Sequence, residues 1–388
     1  MLFVYYCVKF RNFDINRLPC WKDVGEDIMR ENDTVTAHKA ASRKKYLKPG
    51  TEYSPWKNLL PIFGRVLCVI MATVLIIAAG LVGVIFVLEK GPSASARDLF
   101  VRSVQETSAI GFLAEFFLTE EEVVQIIEAG KDQIPAGSTD VSMITVSYNA
   151  ADKSAAGGEG EDPGEEEIEF IPVAGATFKG MLMVVKDPTR VIVASSRFLG
   201  VQGQTLERMI EEYDAVGGVN GGGFEDEDGK GNGGIPIGVV INDGKLLYGA
   251  NITADTAVID YDGILHVGNM NGREAMELGA RYAVSFGPIL IVNGEKCSGL
   301  DSGLNPRTAI AQRSDGAILL LVICGRQLES PGATYEDVAD VLLAHGAVNA
   351  LNLDGGSSSS MVYEGEHLIK NSSVVGQRDL PTSILVLK

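Results

Sequence analysis

Apolar positions along the chain fall into three patterns. The first is Val66–Leu88, "VLCVIMATVLIIAAGLVGVIFVL", 23 residues with neither a charge nor a proline. A helix needs roughly 20 apolar residues to cross a bilayer core, whereas a signal-peptide core is about 7–15. A buried helix of a soluble domain would keep a polar face. The run therefore predicts one transmembrane helix over 66–88. The second pattern has helical spacing and runs from about Ala96 to Ala129. Within it "TEEE" at Thr119–Glu122 reads as a capping box, followed by the apolar stripe Val123, Val124, Ile126 and Ile127. We read 89–137 as a helical stalk or a small helical subdomain.

The third pattern begins near Glu169 and fills the rest of the chain. Short β-branched runs alternate with glycines: "GMLMVV", "RVIVAS", "IGVVI", "KLLYG", "TAVIDYDG", "ILHVG", "YAVSF", "ILIVNGE" and "AILLLVIC". Each has the length and composition of a strand. "NDG" at Asn242–Gly244 and "NGE" at Asn293–Glu295 predict hairpin turns. Helices are expected at Gln204–Tyr213, capped by Thr205, and at Tyr335–His345, capped by Thr334 with Gly346 beyond its end. Many strands with few helices, not alternating one for one, predict an α+β fold: mixed or antiparallel sheets with a few flanking helices. The domains expected are a tail (1–65), the membrane helix (66–88), the stalk (89–137) and one folded domain (138–388).

Each of those two helices leads into a related strand. "AVGGVN" (Ala215–Asn220) and "AVNALN" (Ala347–Asn352) share A-V-x-x-apolar-N, and each opens into a Gly-rich loop. The pattern predicts two loops meeting at one site.

Charge divides the chain at the apolar run. Residues 1–58 carry 11 Lys and Arg against 7 Asp and Glu, whereas residues 89–388 carry 21 against 44. Lys39, Arg43, Lys44, Lys45, Lys48, Lys57 and Arg65 precede the run, which puts the N-terminus in the cytoplasm and the acidic body outside. An acidic body excludes nucleic acid as partner, since that binding rests on Lys and Arg at phosphates. The opening "MLFVYYCVKFRNFDINRLPCW" differs from the polar tail after it; either it is an interfacial patch or translation starts at Met29. Residues 152–169 hold eight acids against Lys153 alone, interleaved with glycines, the composition of a mobile loop or linker. Of the five cysteines only Cys297 and Cys324 follow the membrane helix, so at most one disulfide is possible there. The four histidines lack zinc spacing.

Several motifs mislead. "GKGNGG" matches GxGxxG at Gly229, Gly231 and Gly234, but neither a strand precedes it nor a helix follows, as a dinucleotide site requires. "EDEDG" beside it falls short of an EF-hand, because Phe224 and Ile235 stand where ligands belong. A looser divalent-cation site there is possible but unsupported, and no cofactor is predicted. Ser357–Ser360 lack the G-x-S-x-G pattern of a serine nucleophile, although His345 and His367 lie near in sequence.

Two candidates carry chemistry. Asp354 ends the apolar strand "AVNALNL" and precedes Gly355, Gly356 and the serines. A carboxylate at the edge of a core is poised for proton or nucleophilic work, and the glycines admit a ligand close to backbone amides. The plain alternative is a solvated Asp-Gly turn. Arg307, in "NPRTAIAQR", suits a phosphate or carboxylate; alternatively it is a surface arginine pairing with the abundant acids.

Seven segments, in order, resemble the phosphodiester glycosidase family. They are "AVGGVNGGGF", "GGIPIGVVINDGK", "AVSFGPILIVNGE", "NPRTAIAQR", "LLLVICGRQ", "GAVNALNLDGGSSSSMVY" and "RDLPTSILVL". The resemblance runs from Thr177 to Lys388. That family includes the lysosomal uncovering enzyme, which removes N-acetylglucosamine from a sugar-phosphate-sugar diester. The membrane run and acidic body look like its membrane-tethered bacterial branch, associated with exopolysaccharide. Two positions depart from the pattern: Cys324 stands where an aspartate of "D-G-R" is expected, and Ser357 where a third glycine is. If that aspartate is catalytic the chain is impaired; if it only braces Arg326, a thiol costs stability alone.

The resemblance implies a membrane-anchored, extracytoplasmic hydrolase of glycosyl phosphodiesters in cell-envelope or exopolysaccharide material. Its expected catalytic residues are Asp354, Arg307 and Asn220. Expected substrate contacts are Gly221, Gly222, Thr308, Arg326, Gly355, Gly356, Ser357, Ser358, Ser359 and Arg378. Asp354 would act as nucleophile, base or oxocarbenium stabiliser; Arg307 would hold the phosphate, and Asn220 a sugar hydroxyl or N-acetyl group. The rival readings are a phosphoglycan-binding module without turnover, a glycosyl or phosphoglycosyl transferase, and a scaffold for envelope assembly.

Overall fold

The computed structural model describes residues 56–107, 110–129, 139–146, 167–226, 231–369 and 377–388. The chain divides into two units, Met1–Leu67 and Cys68–Lys388, and the site lies within the second. The expectations for residues 1–55 and for 152–166 of the acidic segment fall outside the described residues.

Helix α1 spans Trp56–Lys90, longer at both ends than the apolar run, and every side chain from 63 to 84 is exposed. Among the described residues it is the one helix long and apolar enough to cross a membrane, and it passes the same test for a signal sequence. The stalk is not one continuous helix. It forms α2 (Ala94–Gln105), a 3₁₀ turn at Gly111–Glu115 and α3 (Glu120–Glu128). Thr119 and Glu122 form the reciprocal capping box that starts α3 afresh. Val101 and Val104 of α2 pack with Val123 and Ile126 of α3 in a small core of their own.

The remaining elements in chain order are β1 (Ile168–Ala174), β2 (Lys179–Val185), β3 (Val191–Ser195), α4 (Leu206–Glu212), β4 (Ala215–Asn220), β5 (Val240–Asn242), β6 (Lys245–Tyr248), β7 (Ala254–Asp260) and β8 (Leu265–Met270). There follow α5 (Gly272–Glu277), β9 (Ala280–Ser285), β10 (Ile289–Val292), β11 (Glu295–Lys296), β12 (Arg307–Arg313), β13 (Ile318–Ile323), α6 (Tyr335–Ala344), β14 (Ala347–Leu353), β15 (Met361–Tyr363), β16 (Glu366–Ile369) and β17 (Thr382–Leu387). Because β1 begins at Ile168, the end of the acidic segment is sheet.

The strands build three sheets, ordered β1-β2-β13-β12-β14-β10-β11, β16-β15-β4-β17-β3 and β6-β5-β9-β7-β8, with every named pairing antiparallel. The fold is α+β, as the strand-rich texture implies. β13 explains the unbroken apolar run: Ile318, Leu320 and Val322 face the core shared by the sheets. Leu319, Leu321 and Ile323 face the core under α6. A strand buried on both faces needs no polar alternation. Thr334 and Asp337 cap α6 reciprocally, and Gly346 turns the chain at φ 85° into β14. The two Asn-initiated hairpins turn as expected, with Asp243–Gly244 and Asn293–Gly294 at positive φ.

Candidate functional site

Asp354 follows the last residue of β14 and sits where that strand's C-terminal end meets the C-terminal end of β4 and the N-terminal end of β12. The two related strands meet there as their sequences imply. Asp354 N donates to the Gly221 carbonyl at 3.1 Å. Asn220 Nδ2 donates to the Asp354 carbonyl at 2.6 Å. Asn220 Oδ1 in turn accepts from Thr308 Oγ1 at 2.8 Å and from Ser360 N at 3.1 Å. Asn220 and Thr308 are fully buried, so their polar atoms lock three strand ends together. Asn220 therefore positions Asp354, with both ends of its amide committed inside the protein.

The loop after Asp354 is fixed by close backbone approach. A Cβ on Gly355 would come within 2.7 Å of the Pro306 carbonyl, and Gly356 donates to that same oxygen at 2.9 Å from a positive φ of 59°. Ser358, Ser359 and Ser360 are buried and serve the loop: Ser359 Oγ lies 3.3 Å from Thr308 Oγ1, whose proton goes to Asn220, and Ser360 Oγ donates to the Ser358 carbonyl. Ser357 is half-exposed. Gly221 and Gly222 donate their amides to the Thr382 backbone and hydroxyl oxygens at 3.1 and 2.9 Å. These two glycines thus brace the mouth of the site.

Burial raises the Asp354 carboxyl from its usual range to about 6. The Ser358 hydroxyl, the Gly355 amide and Arg378 oppose that rise, and Asp226 adds to it. The side chain is half-buried, which keeps it in reach of a ligand.

Three arginines lie around the Asp354 loop, and of these Arg378 acts on the carboxyl. Arg307 is 4% exposed and held from several sides. Its Nη2 donates to Glu106 Oε2 and the Gly303 carbonyl at 2.7 Å each, its Nε donates to the Ala333 carbonyl at 3.0 Å, and its guanidinium lies 4.0 Å over the Tyr335 ring. Arg378 pairs with Asp226 at 2.8 Å and lies over the Phe224 ring. Arg326 is different. It is exposed, lies against the Gly356 backbone, and donates only to the neutral oxygens of Thr107 and Asn305, at 3.0 and 3.3 Å. Among the described residues it has no carboxylate partner.

The sequence did not signal Glu106 and Thr107. They come from the end of α2 and the residue pair after it, and reach the site through contacts some 200 positions apart in sequence, such as Arg307 to Glu106 (separation 201). Cys324 packs with the apolar core, its carbonyl accepting from Ser330 Oγ, and burial raises its thiol. Cys297 and Cys324 are both free thiols. The histidines near the serines are engaged elsewhere: His345 Nδ1 meets the Val341 carbonyl, and His367 pairs with Glu207. Residues after Gly234 form no α-helix before β5, so the GxGxxG match lacks its phosphate-binding context.

Beside these groups lies a cavity of about 540 Å³ between α2, α3 and the loop after β9. Glu106 and Tyr335 stand on its wall, which places it next to the Arg307 side of the site.

The chain matches the phosphodiester glycosidase family over residues 213–387. An SPβ prophage-derived uncharacterized protein, YomE, of Bacillus subtilis (strain 168) is 32% identical over 195 residues, which are 47% of this chain and 29% of that protein. The chain thus spans less than a third of that relative's length. Among solved structures, the catalytic domain of zebrafish N-acetylglucosamine-1-phosphodiester alpha-N-acetylglucosaminidase, auto-inhibited by its pro-peptide, is 22% identical with a TM-score of 0.47, over 57% of this chain and 82% of that one. A hypothetical protein from Synechocystis is 18% identical with a TM-score of 0.41, over 56% and 61%. The family match over residues 213–387 supports a glycosidase-type function. Over residues 213–387 the resemblance read from the seven motifs holds, and this part of the chain is similar to the phosphodiester glycosidases.

Proposed function

We propose that the chain is a membrane-anchored hydrolase that cleaves glycosyl phosphodiester bonds, with its folded domain outside the cytoplasm. The observation that carries the reading is Asp354: a half-buried carboxyl that titrates near 6, on a backbone held by Asn220 and Gly221, with the cation of Arg326, which has no carboxylate partner among the described residues, beside its loop.

Cleaving the bond between the anomeric carbon and a phosphate oxygen sends the electron pair onto a phosphomonoester. That group leaves readily, so the chemistry asks less of a general acid than ordinary glycoside hydrolysis does. It needs a carboxylate beside the anomeric carbon and donors around the phosphate. Asp354 supplies the carboxylate, as nucleophile, base or stabiliser of the oxocarbenium ion. Arg326 supplies the charge on the phosphate, helped by the half-exposed Ser357. Arg307, already paired with Glu106, supports the site from beneath through the start of β12. Arg378, paired with Asp226, helps keep the carboxylate ionised.

The charge reversal across α1 and the exposed, uncharged run of residues 66–84 within it support anchoring, with the acidic domain outside. Envelope or exopolysaccharide glycans are then the accessible substrates. A second reading, a phosphoglycan-binding module without turnover, is favoured by the thiol of Cys324 in place of an acid. Incubating the protein with an N-acetylglucosamine-1-phosphate methyl diester and a sugar acceptor separates the possibilities. Free sugar with phosphomonoester marks the hydrolase, sugar joined to the acceptor marks a transferase, and binding with no product marks the module.

A further inference from the structure

We infer that Thr107 and Asn305 are positioning residues for the reaction: they hold the Arg326 guanidinium by neutral oxygens, so that it meets the phosphate at a fixed place with its charge intact. This rests on the phosphodiester reading above and says what keeps its phosphate contact in place.

Arg326 is fixed at both ends. Its backbone takes the left-handed region at φ 56°, which a residue with a Cβ rarely adopts. Its surroundings hold that conformation. Arg326 N donates to the Pro331 carbonyl at 2.8 Å, and a Cβ on the preceding Gly325 would come within 2.4 Å of Pro306 N. Non-glycine residues held this way cluster at ligand clamps. At the far end, Nη2 donates to Thr107 Oγ1 at 3.0 Å and to Asn305 Oδ1 at 3.3 Å. Among the described residues Nε and Nη1 have no hydrogen-bond partner, which leaves them for phosphate oxygens. The guanidinium lies beside Gly356, in the loop after Asp354.

The two acceptors are themselves oriented. Glu106 Oε2 accepts from Asn305 Nδ2 at 3.0 Å, and an ionised carboxylate takes only donors, so the Asn305 amide turns its oxygen toward Arg326. Thr107 Oγ1 gives its proton to the Ser103 carbonyl at 3.1 Å, which leaves its lone pairs to accept from Arg326. Glu106 is engaged by Arg307 at 2.7 Å and makes no ion pair with Arg326. A carboxylate in place of the Thr107 hydroxyl would orient Arg326 and also neutralise it; a hydroxyl and an amide orient it alone. Glu106 and Thr107 directly follow α2, outside the family match of residues 213–387. The helical segment therefore supplies part of the site, and is not a spacer between membrane and domain.

The test uses the full chain in detergent and an N-acetylglucosamine-1-phosphate methyl diester. Thr107→Val keeps the side chain's shape and removes its oxygen, whereas Thr107→Ser keeps the oxygen. Thr107→Val should lower kcat/KM about fivefold or more, and Thr107→Ser should stay within about twofold of wild type. In an Arg326→Ala background, Thr107→Val should change kcat/KM less than about twofold, because no guanidinium remains to be positioned. Thr107→Val at the wild-type value, Thr107→Ser as impaired as Thr107→Val, or an equal loss in both backgrounds overturns the assignment. If Arg326→Ala leaves too little turnover to compare, the serine variant decides it; if Thr107→Val fails to fold, Thr107→Ala takes its place. If the wild type does not cleave the diester, the function reading fails, and the hold on Arg326 is tested by titrating methyl phosphate. Binding weakened about fivefold or more in Thr107→Val and kept in Thr107→Ser supports it. No binding by the wild type, or equal binding by wild type and Thr107→Val, overturns it, as does equal weakening in both variants.

Discussion

The Glu106 carboxylate lies 2.7 Å from Nη2 of Arg307, joining the end of the helical segment to the first residue of β12. Glu106 Oε1 also accepts from Gly303 N at 2.9 Å, and Oε2 from Asn305 Nδ2 at 3.0 Å. One side chain thus satisfies the loop that leads into the site. The Arg307 side chain is 5% exposed and that of Glu106 29%, so the pair is buried on the arginine side. Removing one partner of such a pair leaves a buried charge uncompensated. Glu106→Ala is expected to destabilise the domain toward the lower end of about 3–5 kcal/mol. Glu106→Gln, which keeps the hydrogen bonds, should cost less. Urea unfolding of the three proteins checks the order.

Asp354 sets opposite directions for stability and turnover. Its folded-state value of about 6 lies above that of a free carboxyl, so the fold favours the neutral form. That contribution is complete at acid pH below the unfolded value, and is lost as pH rises through about 6. Ionising it costs at most about 3 kcal/mol above neutral pH. Asp354→Asn should therefore raise Tm by ~3 °C or more at pH 7.5 and leave it nearly unchanged at pH 4. Turnover that uses the carboxylate should rise with pH through an inflection near 6. Thermal scans and a pH–rate profile test the two halves separately.

Asn220 acts through Asp354. Asn220→Ala removes the 2.6 Å bond to the Asp354 carbonyl and strands Thr308 Oγ1 and Ser360 N without their acceptor. The expected outcome is a kcat reduced about 100-fold with KM changed little, since geometry and not affinity is lost. Destabilisation of about 1–3 kcal/mol should accompany it. A KM increase at unchanged kcat would instead make Asn220 a substrate contact.

Arg326 is expected to hold the phosphate. Arg326→Lys keeps the charge but loses the planar fork, so KM should rise about tenfold. Arg326→Ala should do more, with Tm hardly altered because the side chain is exposed. Steady-state kinetics on a methyl diester reads both.

Much of this was legible in sequence because it depends on local chemistry. Thr334, Gly346 and Asn293–Gly294 announce their cap and turns by conformational preference alone, and the alternation hidden in "AILLLVIC" follows once both faces of β13 are buried. The pairing of Ala215–Asn220 with Ala347–Asn352 was legible as two loops at one site, and Asn220 and Asp354 are in contact there. Less legible was α5, a six-residue helix whose start depends on the Asn271–Glu274 capping box. The stalk's break was equally hidden, because the apolar spacing continues past Gly111 while Gly111–Glu115 is a 3₁₀ turn and Thr119 caps a new helix. Glu106 looked like any surface acid. Its place on Arg307 depends on the packing of α2 against a loop distant in sequence, which no local pattern encodes.

The most direct test measures sugar release from an N-acetylglucosamine-1-phosphate methyl diester by the full chain and its Asp354→Asn variant, with folding of both checked by thermal unfolding. Release by the wild type, lost in a variant that unfolds at the same or a higher temperature, is the predicted result. Undiminished release by Asp354→Asn, or none by a folded wild type across a panel of sugar-1-phosphate diesters, would contradict the account.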